Sequence, residues 1–410
     1  MDNKNKEDMK ILMIAPQPFF EPRGTPISIY DRLRALSELG YQVDLVTYHI
    51  GKNVEIPGVR IFRNVNIPFI KTIKIGPSFT KLYLDVLLFI RAIPLLLTNK
   101  YIALHSHEEA SYFSIILSWL FRIPHIYDMH SRLPKQLRSS KFRNWKLLIW
   151  LFDSTERKVL NTCSAVITIG DDLEEYVREI NPHLINIKIE NLPLYASFGP
   201  SNPHEIEKLR SELELGNKLP IVYTGTFEPY QGLDMLIKSA KIVFEKNQQA
   251  VLILVGGTEK QVIELRKKTQ QLQVSDRVIL IGSVYPSKAM QYLEIAKLLV
   301  SPRLEGMSIP LKIYTYMYSG KPILATDIPA HRLVTDQAVH LADPSVESFS
   351  NGILNLLNHS NQRPNGISQL HRSEKIGALY AEYISKVESL YQMFRKESPT
   401  LETPASALED

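Results

Sequence analysis

Residues 301–327, SPRLEGMSIPLKIYTYMYSGKPILATD, set one carboxylate, one cation and one hydroxyl around a turn that suits an anion. Glu305 stands just outside the turn, and Lys312, Thr315 and Tyr316 share one face of the helix expected after it, by i, i+3, i+4 spacing. Ser308 and Pro310 read as the helix start, and Gly320 followed by Pro322 as its stop. Free backbone N–H groups at such a start favour a phosphate. Apolar strands flank the segment, which places the turn at the carboxyl edge of an open α/β sheet, where ligands sit. Taken alone, this spacing is equally that of an ordinary strand-loop-helix turn.

The elements that must position these residues form two similar series. From Lys10 to about Ile189, the runs ILMIAP, QVDLVTY, VRIFRN, IALHS, PHIYDM and AVITI read as strands, separated by helices such as Ile27 to Leu39 and Asp171 to Glu179. From Leu219 a second series runs IVYTG, VLILVGG, RVILIG, LLVSP, PILAT and VHLAD. Strands alternating with helices predict parallel sheets with crossover helices. GPSNP, residues 199–203, is the expected hinge, and Leu379 to Phe394 reads as a closing amphipathic helix. The fold class expected is α/β, with two Rossmann-like, doubly wound domains facing a central cleft. The boundaries are a polar tail 1–9, a first domain 10–200, a second domain 201–374, a closing helix 375–396 and a disordered tail 397–410.

Further chemistry collects at the expected carboxyl edges. In APQPFFEPRGTPIS, Arg23, Gly24 and Thr25 lie where a strand turns into a helix; a glycine there lets backbone approach a ligand. His130 follows the strand PHIYDM. His105 and His107 lie one strand earlier and are expected to point oppositely, leaving at most one for the cleft; with Glu108 they could mimic a metal cluster, but no second matching set occurs. No Asp-x-Asp pair occurs in the chain.

The segment 301–327 resembles the donor-binding segment of glycosyltransferase family 4 (group 1), retaining enzymes of the GT-B fold. In that family a Glu-Gly pair after a strand precedes a helix carrying a second Glu and then a Gly-Lys-Pro ending. Glu305, Gly306, Gly320, Lys321 and Pro322 match as they stand. Counted back from Gly320, the second glutamate falls on Thr315, which could engage one ribose hydroxyl at best, and the spacing from Glu305 is longer than usual. The loop YTGTFEPYQGLD departs too, with Thr226 where the resemblance implies an arginine after Gly225 and Gln231 where it implies a lysine. Arg303 and Lys312 are the cations expected to replace them at the diphosphate.

By the same resemblance, His130 and Glu305 are the catalytic candidates, His130 near the anomeric carbon and Glu305 on the sugar hydroxyls. The donor-binding set is Gly24, Thr25, Gly225, Thr226, Gly256, Val284, Arg303, Gly306, Met307, Ser308, Lys312 and Thr315, with the base contacted near Val284. No cofactor is implied beyond the nucleotide-sugar donor as substrate, and a divalent metal is not expected to be required. A glycosidase would need two carboxylates flanking the bond, and only Glu305 has such a place.

The 410 residues, 44% hydrophobic and 22% charged, suit a soluble two-domain protein. A lone cysteine, Cys163, and the polar start MDNKNKEDMK, without a secretory leader pattern, set the expectation of a cytoplasmic protein. Net charge is only +5, but Arg132, Lys135, Arg138, Lys141, Arg143 and Lys146 occur without an acidic residue among them and precede the apolar run Leu147 to Phe152. Phe79 to Leu97 is apolar and flanked by Lys71, Lys74 and Lys81; Lys81, Asp85, Arg91 and Pro94 interrupt it too often for the roughly 20 apolar residues of a transmembrane helix. Either these are core helices with solvated basic edges, or they form a peripheral contact with an anionic membrane. No reading motif accompanies the basic cluster, which argues against nucleic acid.

The function expected is a retaining transfer of a sugar from a nucleoside diphosphate sugar to a glycan or lipid-linked acceptor, at the inner face of the cell membrane. A non-catalytic GT-B-like partner, or a sugar nucleotide epimerase, is the alternative.

Overall fold

The structure is a computed structural model and describes residues 9–21, 24–73, 78–138, 144–199, 201–305, 310–334, 339–359 and 369–395. It divides into two compact units, one of residues 1–191 with 381–410, the other of residues 192–380. The expected tail 397–410 lies outside the described residues.

The first unit runs β1 (Lys10–Ala15), α1 (Gly24–Glu38), β2 (Gln42–Thr47), β3 (Val59–Arg63), α2 (Phe79–Thr98), β4 (Ala103–His107) and α3 (Ala110–Phe121). It continues through β5 (His125–Met129), α4 (Leu133–Arg138), α5 (Lys146–Thr162), β6 (Ala165–Thr168), α6 (Asp171–Ile180) and β7 (Ile185–Lys188). The strands form a parallel sheet in the order β3-β2-β1-β4-β5-β6-β7, whose direction of winding reverses between β1 and β4. Five of the six residues of β1 are wholly buried, as expected of a strand covered by helices on both faces. The edge strand β7 had no counterpart in the sequence reading, because INIK is short, half exposed and interrupted by polar residues.

The second unit runs α7 (Leu194–Phe198), α8 (Pro203–Glu212), β8 (Leu219–Thr224), α9 (Leu233–Lys246), β9 (Ala250–Val255), α10 (Glu259–Gln271) and β10 (Val278–Gly282). Then follow α11 (Pro286–Ile295), β11 (Leu298–Ser301), α12 (Leu311–Ser319), β12 (Ile323–Thr326), α13 (Pro329–Arg332), β13 (Val339–Ala342) and α14 (Val346–His359), while α15 (Gln369–Arg395) belongs to the second unit up to residue 380 and to the first from residue 381. The parallel order β10-β9-β8-β11-β12-β13 puts the winding reversal between β8 and β11. All six residues of β9 are buried, and side chains such as Leu252 and Ile253 feed separate cores on the two faces of the sheet. Each such apolar side chain contributes about 1.5–3 kcal/mol of transfer free energy.

The last helix is longer than Leu379 to Phe394. Its buried positions Tyr383, Val387, Leu390, Tyr391 and Phe394 keep a helical period, and this stretch packs within the first unit.

Candidate functional site

In the first unit, the parallel register sets His107 beside Asp128. Alternate residues of a strand share a face, so His105 joins them. The expectation that His105 and His107 point oppositely is thereby corrected: their rings stack with centroids 4.7 Å apart. Asp128 Oδ2 accepts from Arg32 Nε at 3.2 Å and from His105 Nε2 at 3.3 Å, and Oδ1 lies 3.2 Å from His130 Nε2. None of these side chains is more than 5% exposed.

Burial alone would raise the Asp128 carboxyl, but Arg32, His130 and His107 hold it well below the usual carboxylate range. Burial would likewise lower His130, yet Asp128 and then Glu108 raise it above an ordinary histidine. His105 and His107 go down, because desolvation outweighs the same carboxylate. The result is an Arg32–Asp128–His130 cluster in which the carboxylate favours the protonated form of His130, with two imidazoles packed beside it whose burial favours the neutral form. His130 sits one residue past β5 with its side chain 5% exposed, so it is not an exposed loop histidine.

His105, His107 and Asp128 offer donor atoms that all lie within 4.8 Å of one another. Arg32 already occupies that carboxylate, and Glu108 turns elsewhere, accepting from Gln17 Nε2 at 2.7 Å and Ser131 Oγ at 3.4 Å. His105 Nδ1 bonds the Tyr391 hydroxyl of α15. Gly24 opens α1, with no atom within 4 Å of where a Cβ would stand, and Thr25 follows half-buried.

In the second unit, β8 and β11 flank the winding reversal, and the loops after β9 and β10 follow along the same edge of the sheet. Gly225 and Gly256 adopt φ of +145° and +128°, and a Cβ on Gly256 would lie 1.8 Å from the Gly225 carbonyl oxygen. Only glycine allows that approach. Gly256 N–H donates to the Gly282 carbonyl, and Val284 of the next loop packs partly against the core.

Lys312, from the first turn of α12, reaches under this arrangement. Its Nζ lies 2.8 Å from Gln231 Oε1, 2.9 Å from the Tyr223 hydroxyl and 4.0 Å from the Tyr223 ring centroid. It has no carboxylate partner among the described residues, and burial followed by the charge of Arg303 pushes its ammonium well below the ordinary lysine range. An anion joining a desolvated lysine of this kind would favour its charged form. The contact with Gln231 also means that Lys312 brings its charge to the position where the resemblance implies a lysine.

The helix face expected to converge on one ligand is divided. Tyr316 accepts the Thr224 N–H at 2.8 Å, at the end of β8. Thr315 is 2% exposed, and its hydroxyl accepts the Leu194 N–H of α7 at 3.3 Å. Arg303 and Glu305 share the turn after β11: Arg303 Nε donates to the Glu305 carbonyl at 2.5 Å, while the Glu305 carboxylate is exposed. Thr226 follows Gly225 and accepts the Tyr223 hydroxyl on its carbonyl at 2.7 Å. Gly306, Met307 and Ser308, together with Arg23, lie outside the described residues.

Residues that sequence reasoning missed hold these groups in place. His331 bonds the Thr326 carbonyl through Nδ1 at 2.7 Å and Ser301 Oγ through Nε2 at 3.2 Å, and Thr326 donates to the Arg303 carbonyl. Arg32 and Tyr391 carried no local signal, since each meets its partner across about a hundred residues or more. Asp128, two positions before His130 in YDMH, was visible as a strand-end carboxylate.

The chain matches the family model Glycosyltransferase Family 4 over residues 22–187 and the model Glycosyl transferases group 1 over residues 205–369. Among solved structures it resembles sucrose-phosphate synthase from Thermosynechococcus elongatus, with 19% identity and a TM-score of 0.72, covering 95% of this chain and 100% of that one. Anabaena HepE in complex with UDP and glucose follows with 18% identity and a TM-score of 0.66, covering 95% and 100%. WaaG, a glycosyltransferase involved in lipopolysaccharide biosynthesis, has 11% identity and a TM-score of 0.63, covering 94% and 98%. At these identities the likeness establishes the GT-B fold. Protein CapJ of Staphylococcus aureus is 34% identical over 94 residues, 22% of this chain and 23% of that protein, so the match spans less than a quarter of CapJ.

Proposed function

The chain belongs, through its two matched halves, to the group 1 glycosyltransferases of family 4, and from that premise we propose that it moves a sugar, with retention, from a nucleoside diphosphate donor to a lipid or lipid-linked glycan at a membrane face. The observation that carries the donor assignment is the partly buried Lys312, without a carboxylate partner among the described residues, beside the glycine loops after β8 and β9. Lys312 and Arg303 hold the diphosphate, and Gly225, Thr226 and Gly256 let main chain approach it. By the resemblance Gly306, Met307 and Ser308, which lie outside the described residues, belong to the same donor set, and Val284 borders the base. Gly24 and Thr25 offer the corresponding helix start in the first unit.

The bond from the anomeric carbon to the phosphate oxygen breaks as the acceptor oxygen bonds to that carbon on the same face. The acceptor proton passes to the leaving phosphate, giving the nucleoside diphosphate and the glycosylated acceptor. Negative charge grows on the leaving phosphate, and fixed cations and N–H dipoles stabilise that change. Glu305 accepts hydrogen bonds from the sugar hydroxyls, which its exposure permits, and His130 orients groups near the anomeric carbon, its ring fixed by Asp128. With two protein cations at the diphosphate, a divalent metal is not required. Thr315, committed to Leu194, leaves the ribose held without the second carboxylate.

For the acceptor, support comes from α2, α3 and α5, whose outer faces expose Phe79, Ile116, Trp119 and Trp150. No described helix is long and apolar enough to cross a membrane, so the reading is peripheral contact. The test is a panel of nucleotide sugars, UDP-glucose among them because HepE holds it, scored for binding and for hydrolysis or transfer. Wild type should bind at least one donor, and Glu305→Ala and His130→Ala should bind it with turnover reduced. Binding of none would overturn the proposal.

A further inference from the structure

A groove in the first unit lies between α2, α3, α4 and α5, encloses about 470 Å³ and is walled chiefly by apolar side chains. Leu82, Val86, Ile116 and Leu151 line it while remaining more than half exposed. Its polar positions cluster: Lys81 pairs with Glu109, near Asp85 on the same helix. A site with long hydrocarbon walls and a few grouped polar atoms is shaped for an amphiphile rather than for a sugar.

The surroundings agree. All three tryptophans of the chain, Trp119, Trp145 and Trp150, are 50–79% exposed, and all lie on α3 or at α5. Trp is normally among the more buried residues, and exposed Trp on an apolar face marks a water–lipid boundary. Trp145 packs against Phe79 at the groove, with ring centroids 5.8 Å apart. On α3 the groove residues Tyr112 and Ile116 continue at helical spacing into Trp119, so the apolar stripe leads outward from the groove. Lys135 and Arg138 lie on α4 and Lys146 opens α5, the helices that wall the groove, with the sign of charge that anionic lipid headgroups require, although Arg138 also pairs with Asp153 at 3.4 Å.

We propose that this groove binds the hydrocarbon chain of the lipid acceptor and thereby selects chain-bearing acceptors over free sugars. This rests on the lipid-acceptor reading above and adds to it the site that recognises the chain.

The experiment uses n-alkyl β-D-glucosides from hexyl to dodecyl, below their critical micelle concentrations, titrated calorimetrically into the whole protein. Kd should fall about fourfold per added methylene, the ratio equivalent to ~0.8 kcal/mol per CH₂, and level off once the groove is filled. The double variant Val86→Gln with Ile116→Gln changes side chains that are 52% and 55% exposed, so folding is not at stake. It should weaken decyl glucoside binding at least tenfold and flatten the chain-length dependence, while UDP-glucose binding stays at the wild-type value. Affinity independent of chain length, or unchanged in the variant, overturns the proposal. A wild-type dimer that the variant dissociates, with no glucoside bound, would assign the face to a second copy and equally overturn it. Glucoside binding without any nucleotide-sugar binding would instead refute the donor reading and leave the groove.

Discussion

Replacing Lys312 by methionine removes a charge whose ligand-free state is costly and whose bound state is proposed to be the main grip on the diphosphate. Among the described residues Nζ is held by neutral oxygens, Gln231 Oε1 at 2.8 Å and the Tyr223 hydroxyl at 2.9 Å, and its pKa is pushed well below the lysine range by burial and by Arg303. An anion arriving beside it favours the ammonium, so binding takes up a proton. Between the depressed pKa of the free protein and the restored pKa of the complex, Kd should therefore rise with pH, up to tenfold per unit for one proton. A nucleotide sugar suits the assay because its diphosphate, esterified at both ends, does not titrate in that range. Loss of a charge-assisted hydrogen bond costs about 1.5–3 kcal/mol, or roughly 10- to 150-fold in Kd. Lys312→Met should show that loss at the acid end of the range and no pH slope. Lys312→Arg, charged throughout, should lose the slope. The ligand-free protein should respond in the opposite sense. In the same window the unfolded chain binds more protons at this residue than the native one, so native stability falls as pH falls, and Lys312→Met should be the more stable protein by the widest margin at the acid end. Calorimetry in two buffers of different ionisation enthalpy reads the proton directly. Equal Kd for wild type and Lys312→Met, or no proton uptake, would refute the reasoning.

Asp128→Asn should lower unfolding free energy by about 3–5 kcal/mol in urea titrations, because it strands the buried Arg32 guanidinium. The carboxylate's contribution is present above the unfolded pKa of about 3.9 and is lost as pH falls through the depressed native value, so the deficit should shrink in acid. Gly256→Ala meets the Gly225 carbonyl at a φ of +128°; strain of about 1–3 kcal/mol from the backbone alone should appear as a lower Tm and weaker donor binding together. Tyr391→Phe leaves His105 Nδ1 without its hydroxyl partner and should cost about 1–3 kcal/mol. Faster hydrogen exchange in α15 than in wild type would confirm its cause. Glu305→Gln, at an exposed carboxylate, should change stability by less than about 0.5 kcal/mol while sharply reducing turnover.

Periodicity alone made the sheets legible, because strands buried on both faces read as apolar runs and the glycines and prolines between them mark the ends. It failed at β7, where a four-residue edge strand buries too little to leave a pattern. The carboxyl-edge positions of Glu305, His130, Gly24, Gly225 and Gly256 followed from the same alternation, since chain direction fixes which loops lie at that edge. The family itself was readable from Glu305, Gly306, Gly320, Lys321 and Pro322, a local pattern that needs no tertiary contact.

Tertiary structure decided which of these groups carry charge and toward what. Helical spacing put Lys312, Thr315 and Tyr316 on one face, but a helix packed between two neighbours spends that face on both: Lys312 and Tyr316 go to β8, Thr315 to α7. The cluster of Arg32, Asp128 and His130 joins residues almost a hundred positions apart, and a pKa depends on the burial and neighbours that only such packing supplies. The same limit applied to the apolar helices. Sequence showed that Phe79 to Leu97 and Leu147 to Phe152 are apolar and basic at their edges, and packing determined which faces enter the core and which stay open as a groove. Composition and spacing thus fix elements and their ends, whereas the ionisation and exposure of a side chain are set by atoms that the chain brings near only when it folds.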